Sequence, residues 1–147
     1  MKRDRLEKVL GNMREMGIRQ LLVTAPTSVL YLTGKRVAPG ERMLALLISD
    51  DGRCRLFANR LFALKPMDGC ELIEYSDTDD CVGELSSRLA PGSLGVDKDW
   101  PCRFLLPLME KRRDLAVSLG SPAVDSARMR KTEEELRAEC GSWAAQG

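Results

Sequence analysis

The side chains able to do chemistry in this 147-residue sequence are carboxylates, lysines, tyrosines and cysteines, because it contains no histidine. Histidine is the commonest general base and the commonest imidazole metal ligand. Its absence excludes Ser-His-Asp and Cys-His nucleophilic sites, and every histidine-containing metal site, within the chain. The five cysteines, Cys54, Cys70, Cys81, Cys102 and Cys140, are odd in number and widely scattered, with no C-x-x-C pair. That spacing argues against a disulfide framework, an iron–sulfur cluster or a zinc site and describes reduced, mostly buried thiols. Gly34-Lys35 fails as a phosphate-binding loop, since Val29 stands where the first glycine belongs and Arg36 where a hydroxyl is needed. No G-x-G-x-x-G or G-x-S-x-G pattern is present. The acidic cluster Asp77, Asp79 and Asp80 has Val82 and Arg88 where a calcium loop needs Gly and Glu. It suits instead the orphan amides at a helix start. Arg128, Arg130 and Lys131, beside Glu133 to Glu135, form a charge block that reads as a solvated helix entrance. By residue chemistry alone, this is an α/β domain without a complete active site.

Composition narrows the partners. With 23 basic and 22 acidic residues the formal charge is +1, so the excess of Lys and Arg that phosphate or an anionic membrane would require is missing. The longest unbroken apolar run, Met43 to Ile48, is far short of the ~20 residues that span a bilayer. The start, Met1-Lys2-Arg3-Asp4-Arg5, lacks the apolar stretch and cleavage site of a secretory signal. These features predict a soluble, cytoplasmic protein.

The elements that must position any site follow from periodicity. Leu6, Val9, Leu10 and Met13 fall at i, i+3, i+4 and i+7, predicting an amphipathic helix from Asp4, as N-cap, to Met16, with Gly17 as left-handed C-cap. Gln20 to Thr24 reads as a buried strand ended by Pro26. Met43–Ile48 and Arg53–Phe57, joined by Asp50-Asp51-Gly52, read as a β-hairpin with a type I′ turn. One or two helical turns are expected between Asn59 and Lys65. Strands are expected at Glu71–Tyr75, Ser93–Val96 and Leu115–Leu119, and helices after Asp80 and after Asp99-Trp100-Pro101. Thr132-Glu133-Glu134-Glu135 matches a capping box, so a last helix is expected to follow a connecting stretch and run to about Ala144. Alternation with a hairpin inside it describes an α/β fold: a mixed sheet of five to six strands with helices on both faces.

Three segments, in order, carry a resemblance. Arg19-Gln20-Leu21-Leu22-Val23-Thr24 followed by Ser28-Val29-Leu30-Tyr31-Leu32-Thr33-Gly34, then the hairpin, then Val124-Asp125-Ser126-Ala127-Arg128-Met129-Arg130-Lys131-Thr132-Glu133-Glu134-Glu135-Leu136-Arg137 resemble the N-terminal domain of the creatinase/prolidase/aminopeptidase P family and its junction with the catalytic domain. The resemblance covers essentially the whole chain. It implies a ribonuclease H-like sheet motif over residues 1–127, with 128–147 starting a helix that connects to a C-terminal "pita-bread" catalytic domain. In the family that second domain holds two Asp, one His and two Glu around a dinuclear centre, with Mn, Co or Zn expected. No catalytic or metal-ligating residue is therefore expected here, and the missing histidines are explained by where the chain stops. The implied role is a non-catalytic domain of a metal-dependent Xaa-Pro dipeptidase or aminopeptidase, covering the cleft and building a homodimer that acts on proline-containing peptides. The N-terminal domain of a creatinase-type amidinohydrolase, or a non-enzymatic peptide-binding module, would carry the same segments. Residue by residue, the resemblance puts Tyr31, Gly34 and Arg42 at the substrate cleft and Arg128, Lys131 and Glu135 in the connector. Lys35 stands where relatives usually have an aromatic.

Overall fold

The computed structural model describes residues 1–129, which form a mixed sheet between two helical layers. Helix α1 (Arg3–Met16) buries Leu6, Val9, Leu10 and Met13, the stripe its periodicity marks, and ends at Gly17 with φ 71°. Its N-cap is Lys2, without a side-chain bond. Asp4 lies in the first turn, where a carboxylate faces the positive end of the helix dipole. Strand β1 (Gln20–Val23) is buried throughout.

Pro26 ends β1 but also begins α2 (Pro26–Thr33), a helix that periodicity did not assign. Proline is tolerated in a first turn because the N–H it lacks would be unpaired there. An eight-residue, largely apolar helix shows no clear amphipathic stripe, and Ser28, Val29, Leu32 and Thr33 are all buried. Gly34 closes it in the left-handed region, at φ 77°.

The hairpin is β2 (Ala45–Ser49) and β3 (Cys54–Asn59), paired antiparallel. Its turn is not type I′. Of the loop residues only Gly52 has positive φ, 91°, and its N–H donates to the Ser49 carbonyl at 2.9 Å. The loop is longer than the two residues that a type I′ turn connects, so a single left-handed glycine suffices. A 3₁₀ turn, Arg60–Phe62, occupies the expected helical region, capped by the Asn59 side chain.

Next come β4 (Glu71–Tyr75), α3 (Cys81–Ser87), β5 (Gly92–Val96), α4 (Cys102–Lys111) and β6 (Leu115–Leu119). Residues 121–129 are helical, although the sequence suggested a connecting stretch there. Ala123, Val124 and Ala127 are fully buried in the same cluster as the apolar face of α1, and that tertiary burial explains the helix. The expected helix from Thr132, with Lys131, Glu135 and Cys140, lies outside the described residues.

The strand order is β4-β3-β2-β1-β5-β6, six strands where five to six were expected. Strand β2 runs antiparallel to both neighbours, and the other pairings are parallel. Side chains alternate between two cores. Leu21, Val23, Leu46, Ile48 and Leu56 meet α1, α2 and residues 121–129 on one face; Leu22, Ala45, Leu47, Phe57, Leu94 and Val96 meet α3 and α4 on the other. Coverage on both faces explains why the central strands read as unbroken apolar runs. Each fully buried Leu, Ile or Phe contributes roughly 1.5–3 kcal/mol.

Candidate functional site

In open α/β sheets, ligands bind beyond the carboxyl ends of the parallel strands. Here that edge holds a cleft of about 590 Å³, built from the turn after β1 (Thr24–Thr27), the segment entering β2 (Ala38–Leu44) and the start of α4 (Asp99–Phe104). Asp97, at the end of β5 and 7% exposed, ties its walls together. Its carboxylate accepts the backbone N–H of Thr24 and that of Ala25, the latter at 2.9 Å, and the Ser121 hydroxyl at 3.3 Å. Ser121 in turn accepts the Lys98 N–H at 2.7 Å.

Arg42 lines this cleft. Its Nε and Nη2 donate to the two carboxylate oxygens of Asp77, each at 3.0 Å, and Asn59 Nδ2 donates to the same carboxylate at 2.7 Å. Hydrogen bonding from Arg42 and then from Asn59 holds the Asp77 carboxyl below the usual carboxylate range. Asp77 raises the Arg42 guanidinium above its already high value, chiefly through the same hydrogen bonds. This side-on pairing fixes the guanidinium plane and leaves its Nη1 edge for a further acceptor. Behind it Tyr75 donates to the Met43 carbonyl, and burial pushes its hydroxyl up to about 12. Trp100, 6% exposed, stacks at a tilt on Phe104 with centroids 5.9 Å apart, and its indole N–H has no acceptor among the described residues.

Tyr31 and Gly34 do not line the cleft with Arg42. The Tyr31 hydroxyl donates to the Ala127 carbonyl at 3.3 Å, its ring lies 4.6 Å under the Arg5 guanidinium, and its own carbonyl accepts Arg5 Nη1 at 2.6 Å. It thus joins α2 to α1 and to residues 121–129. Arg128 donates to the Thr27 and Ser28 hydroxyls at 3.3 and 3.4 Å. It borders a smaller hollow of about 230 Å³ beside the cleft, where Lys98 pairs with Asp125 at 3.2 Å.

Nothing in the sequence alone marks Asp97 or Trp100 as functional: the stretch around them reads only as a strand at Ser93–Val96 followed by a helix start at Asp99-Trp100-Pro101. An acid directly after a short apolar strand is the available signal. It becomes informative only when the neighbouring strand is known.

The described residues do not fit a metal. No group of three or more His, Cys, Asp or Glu among them could hold one, and the acidic cluster is otherwise engaged. Asp77 holds Arg42, Asp79 accepts the Ser76 N–H at 2.8 Å, and Asp80 caps α3 through the Gly83 N–H at 3.0 Å. Nor do Cys54, Cys70 and Cys81 offer an activated thiolate. Burial pushes Cys54 up to about 12 and Cys70 up to about 11, and burial also raises the half-buried Cys81.

The architecture so defined is a mixed α/β domain with its cleft at the carboxyl edge of the sheet. It is similar to the prolidase of Thermococcus sibiricus, with a TM-score of 0.75 at 21% identity over 86% of this chain and 36% of that one. It is also similar to the creatinase/prolidase N-terminal domain of a Streptococcus pyogenes X-Pro dipeptidase, with a TM-score of 0.65 at 16% identity over 78% and 99% of the two chains. In sequence, a probable dipeptidase PepE of Mycobacterium bovis is 31% identical over 132 residues, 84% of this chain and 35% of that protein. The chain belongs to the creatinase/prolidase N-terminal domain family, whose profile matches residues 5–130. It spans 22% to 35% of the length of the curated relatives it matches.

Proposed function

We propose that this chain is the non-catalytic N-terminal domain of a metal-dependent Xaa-Pro dipeptidase or aminopeptidase. The family match over residues 5–130 carries this reading. The absence of histidine and the engaged carboxylates support it. In this reading residues 1–127 form the domain, residues from 128 onward connect it to a catalytic domain, and that second domain holds a dinuclear Mn, Co or Zn centre. The domain covers the catalytic cleft, takes part in a homodimer and works in the cytoplasm. Among the described residues no helix is long and apolar enough to cross a membrane, and four thiols stand free, as in a reducing compartment.

The test is direct. The purified 147-residue chain, supplied with Mn²⁺ or Co²⁺, is expected to show no hydrolysis of Xaa-Pro dipeptides, and reading the coding sequence past codon 147 is expected to reveal the Asp-Asp-His-Glu-Glu set. Robust turnover by the chain alone overturns the reading, as does a downstream frame without that set.

Within the same reading Arg42 is the residue that reaches substrate, through the Nη1 edge left open by its pairing with Asp77. A fork held flat by one carboxylate is preorganised to receive a second. In a full-length enzyme Arg42→Ala is expected to weaken kcat/KM for dipeptides by about tenfold or more, and Arg42→Lys, which keeps the charge and loses the fork, to restore part of it. Unchanged kcat and KM in Arg42→Ala remove Arg42 from the site.

A further inference from the structure

We infer that Cys54 and Cys70 form a redox-sensitive pair: oxidised by a small-molecule disulfide, they join in a bond that clamps the edge strand β4, which leads to Asp77, onto β3. This goes beyond the proposed function and does not depend on it.

The β3–β4 ladder is parallel and pairs Arg55 with Glu71, Leu56 with Leu72 and Phe57 with Ile73. One step back in the same register sets Cys70 opposite Cys54. Neighbouring strands lie about 4.8 Å apart, within the roughly 4.4–6.8 Å between Cα atoms that a disulfide bridges. Both side chains also share a face. Cys54 comes two residues before Leu56 and Cys70 two before Leu72, and all four lie in or against the core that meets α1. The two thiols are free and buried, Cys54 at 3% and Cys70 at 8% exposure. Their nearness is felt electrostatically: Cys70 adds to the burial that pushes the Cys54 thiol up to about 12. Cys81 and Cys102 stand instead at the starts of α3 and α4.

The bond would act at the looser end of an edge strand. At the far end of β4, Tyr75 donates to the Met43 carbonyl, and Asp77 just beyond it accepts from Arg42. At the near end, Glu71 reaches Arg53 at 3.6 Å and Arg55 at 3.9 Å, exposed pairs that water screens. Burial keeps both thiols protonated, Cys70 at about 11 and Cys54 at about 12, so exchange waits for a local opening of β4. The Cys70 thiolate then attacks one sulfur of glutathione disulfide, forming a mixed disulfide and releasing one glutathione thiolate. As the strand recloses, Cys54 loses its proton to water and its sulfur displaces the second glutathione thiolate. Two electrons and two protons pass from the cysteine pair to the oxidant, which leaves one protein disulfide and two glutathione thiols.

Incubating the folded 147-residue chain with glutathione disulfide, alkylating the remaining thiols and mapping the peptides by mass tests this. A peptide linking Cys54 to Cys70 is expected. In the oxidised protein the β4 amides bonded to β3 are expected to exchange about tenfold more slowly or slower, and Tm to rise by about 5 °C or more. Both changes are expected to vanish in Cys70→Ala given the same treatment. Circular dichroism checks that this variant folds, and Cys54→Ala takes its place if it does not. A folded chain that yields only mixed glutathione disulfides, or links Cys54 to Cys70 only after unfolding in urea, overturns the inference. So does a linked protein whose β4 amides exchange as fast as in the reduced one. None of these outcomes bears on the hydrolysis test.

Discussion

Gly120→Ala is expected to destabilise the protein by about 3 kcal/mol, the upper part of the range for overpacking a rigid site, and to lower Tm by about 10 °C for a chain of this size. A Cβ on Gly120 would lie 2.4 Å from Leu21 Cδ1, 2.8 Å from the Gly95 carbonyl carbon and 2.9 Å from Gly95 Cα. Leu21 is fully buried and sits opposite Gly95 across the β1–β5 ladder. Neither neighbour can give way, because two of the three contacts are backbone. The chain leaving β6 crosses β5 here at backbone contact, with the Gly120 N–H donating to the Val96 carbonyl at 2.9 Å. Gly11→Ala is the matched control. A Cβ there meets nothing within 4 Å in the middle of α1, so helix propensity alone predicts a gain of up to about 1 kcal/mol. Thermal unfolding of the two variants side by side decides the matter. A Gly120→Ala protein melting within a degree or two of the parent contradicts the close crossing.

The same contrast shows what a sequence can and cannot display. The stripe of α1, the two arms of the hairpin and the alternation of strand and helix are local patterns, and each appears in the structure near its expected place. What escaped was settled between segments. Pro26 looks like a terminator until Ala25 carbonyl bonds to Ser28 and Val29 N–H show it opening a helix. Residues 121–129 carry too little apolar periodicity to announce a helix, and become one because Ala123 and Ala127 fit against α1. At the site, Arg42 is legible as a cleft residue only through resemblance, and its holder Asp77 reads locally as one of the carboxylates at a helix start. The separation of 35 residues between them has no local signature. Within the same acidic cluster Asp80 caps α3 while Asp77 holds Arg42, a division of roles that the local sequence does not display.

Asp97→Ala is expected to cost about 3 kcal/mol or more, because it removes the acceptor of two backbone N–H groups at once and leaves each short of a partner, at roughly 1–3 kcal/mol apiece. The carboxylate is buried where β1 turns into α2, and one oxygen, Oδ2, serves both Thr24 and Ala25 while Oδ1 meets Ser121. It therefore binds three separate parts of the chain: the end of β1, the end of β5 and the start of the 121–129 helix. Asp97→Asn separates hydrogen bonding from charge. An amide oxygen can replace Oδ2 for both N–H groups, and the amide NH₂ can donate to the Ser121 hydroxyl, so the loss should fall to about 1 kcal/mol, the difference between charge-assisted and neutral bonds. Urea unfolding should show the midpoint falling from parent to Asn to Ala with the slope m unchanged. The cleft wall Thr24–Thr27 hangs from this carboxylate, so the Ala variant should also lose amide protection at Thr24 and Ala25 before the sheet unfolds. If Asp97→Ala instead unfolds with the parent's midpoint, the end of β1 is held by its strand pairing alone, and the cleft owes its shape to the sheet rather than to Asp97.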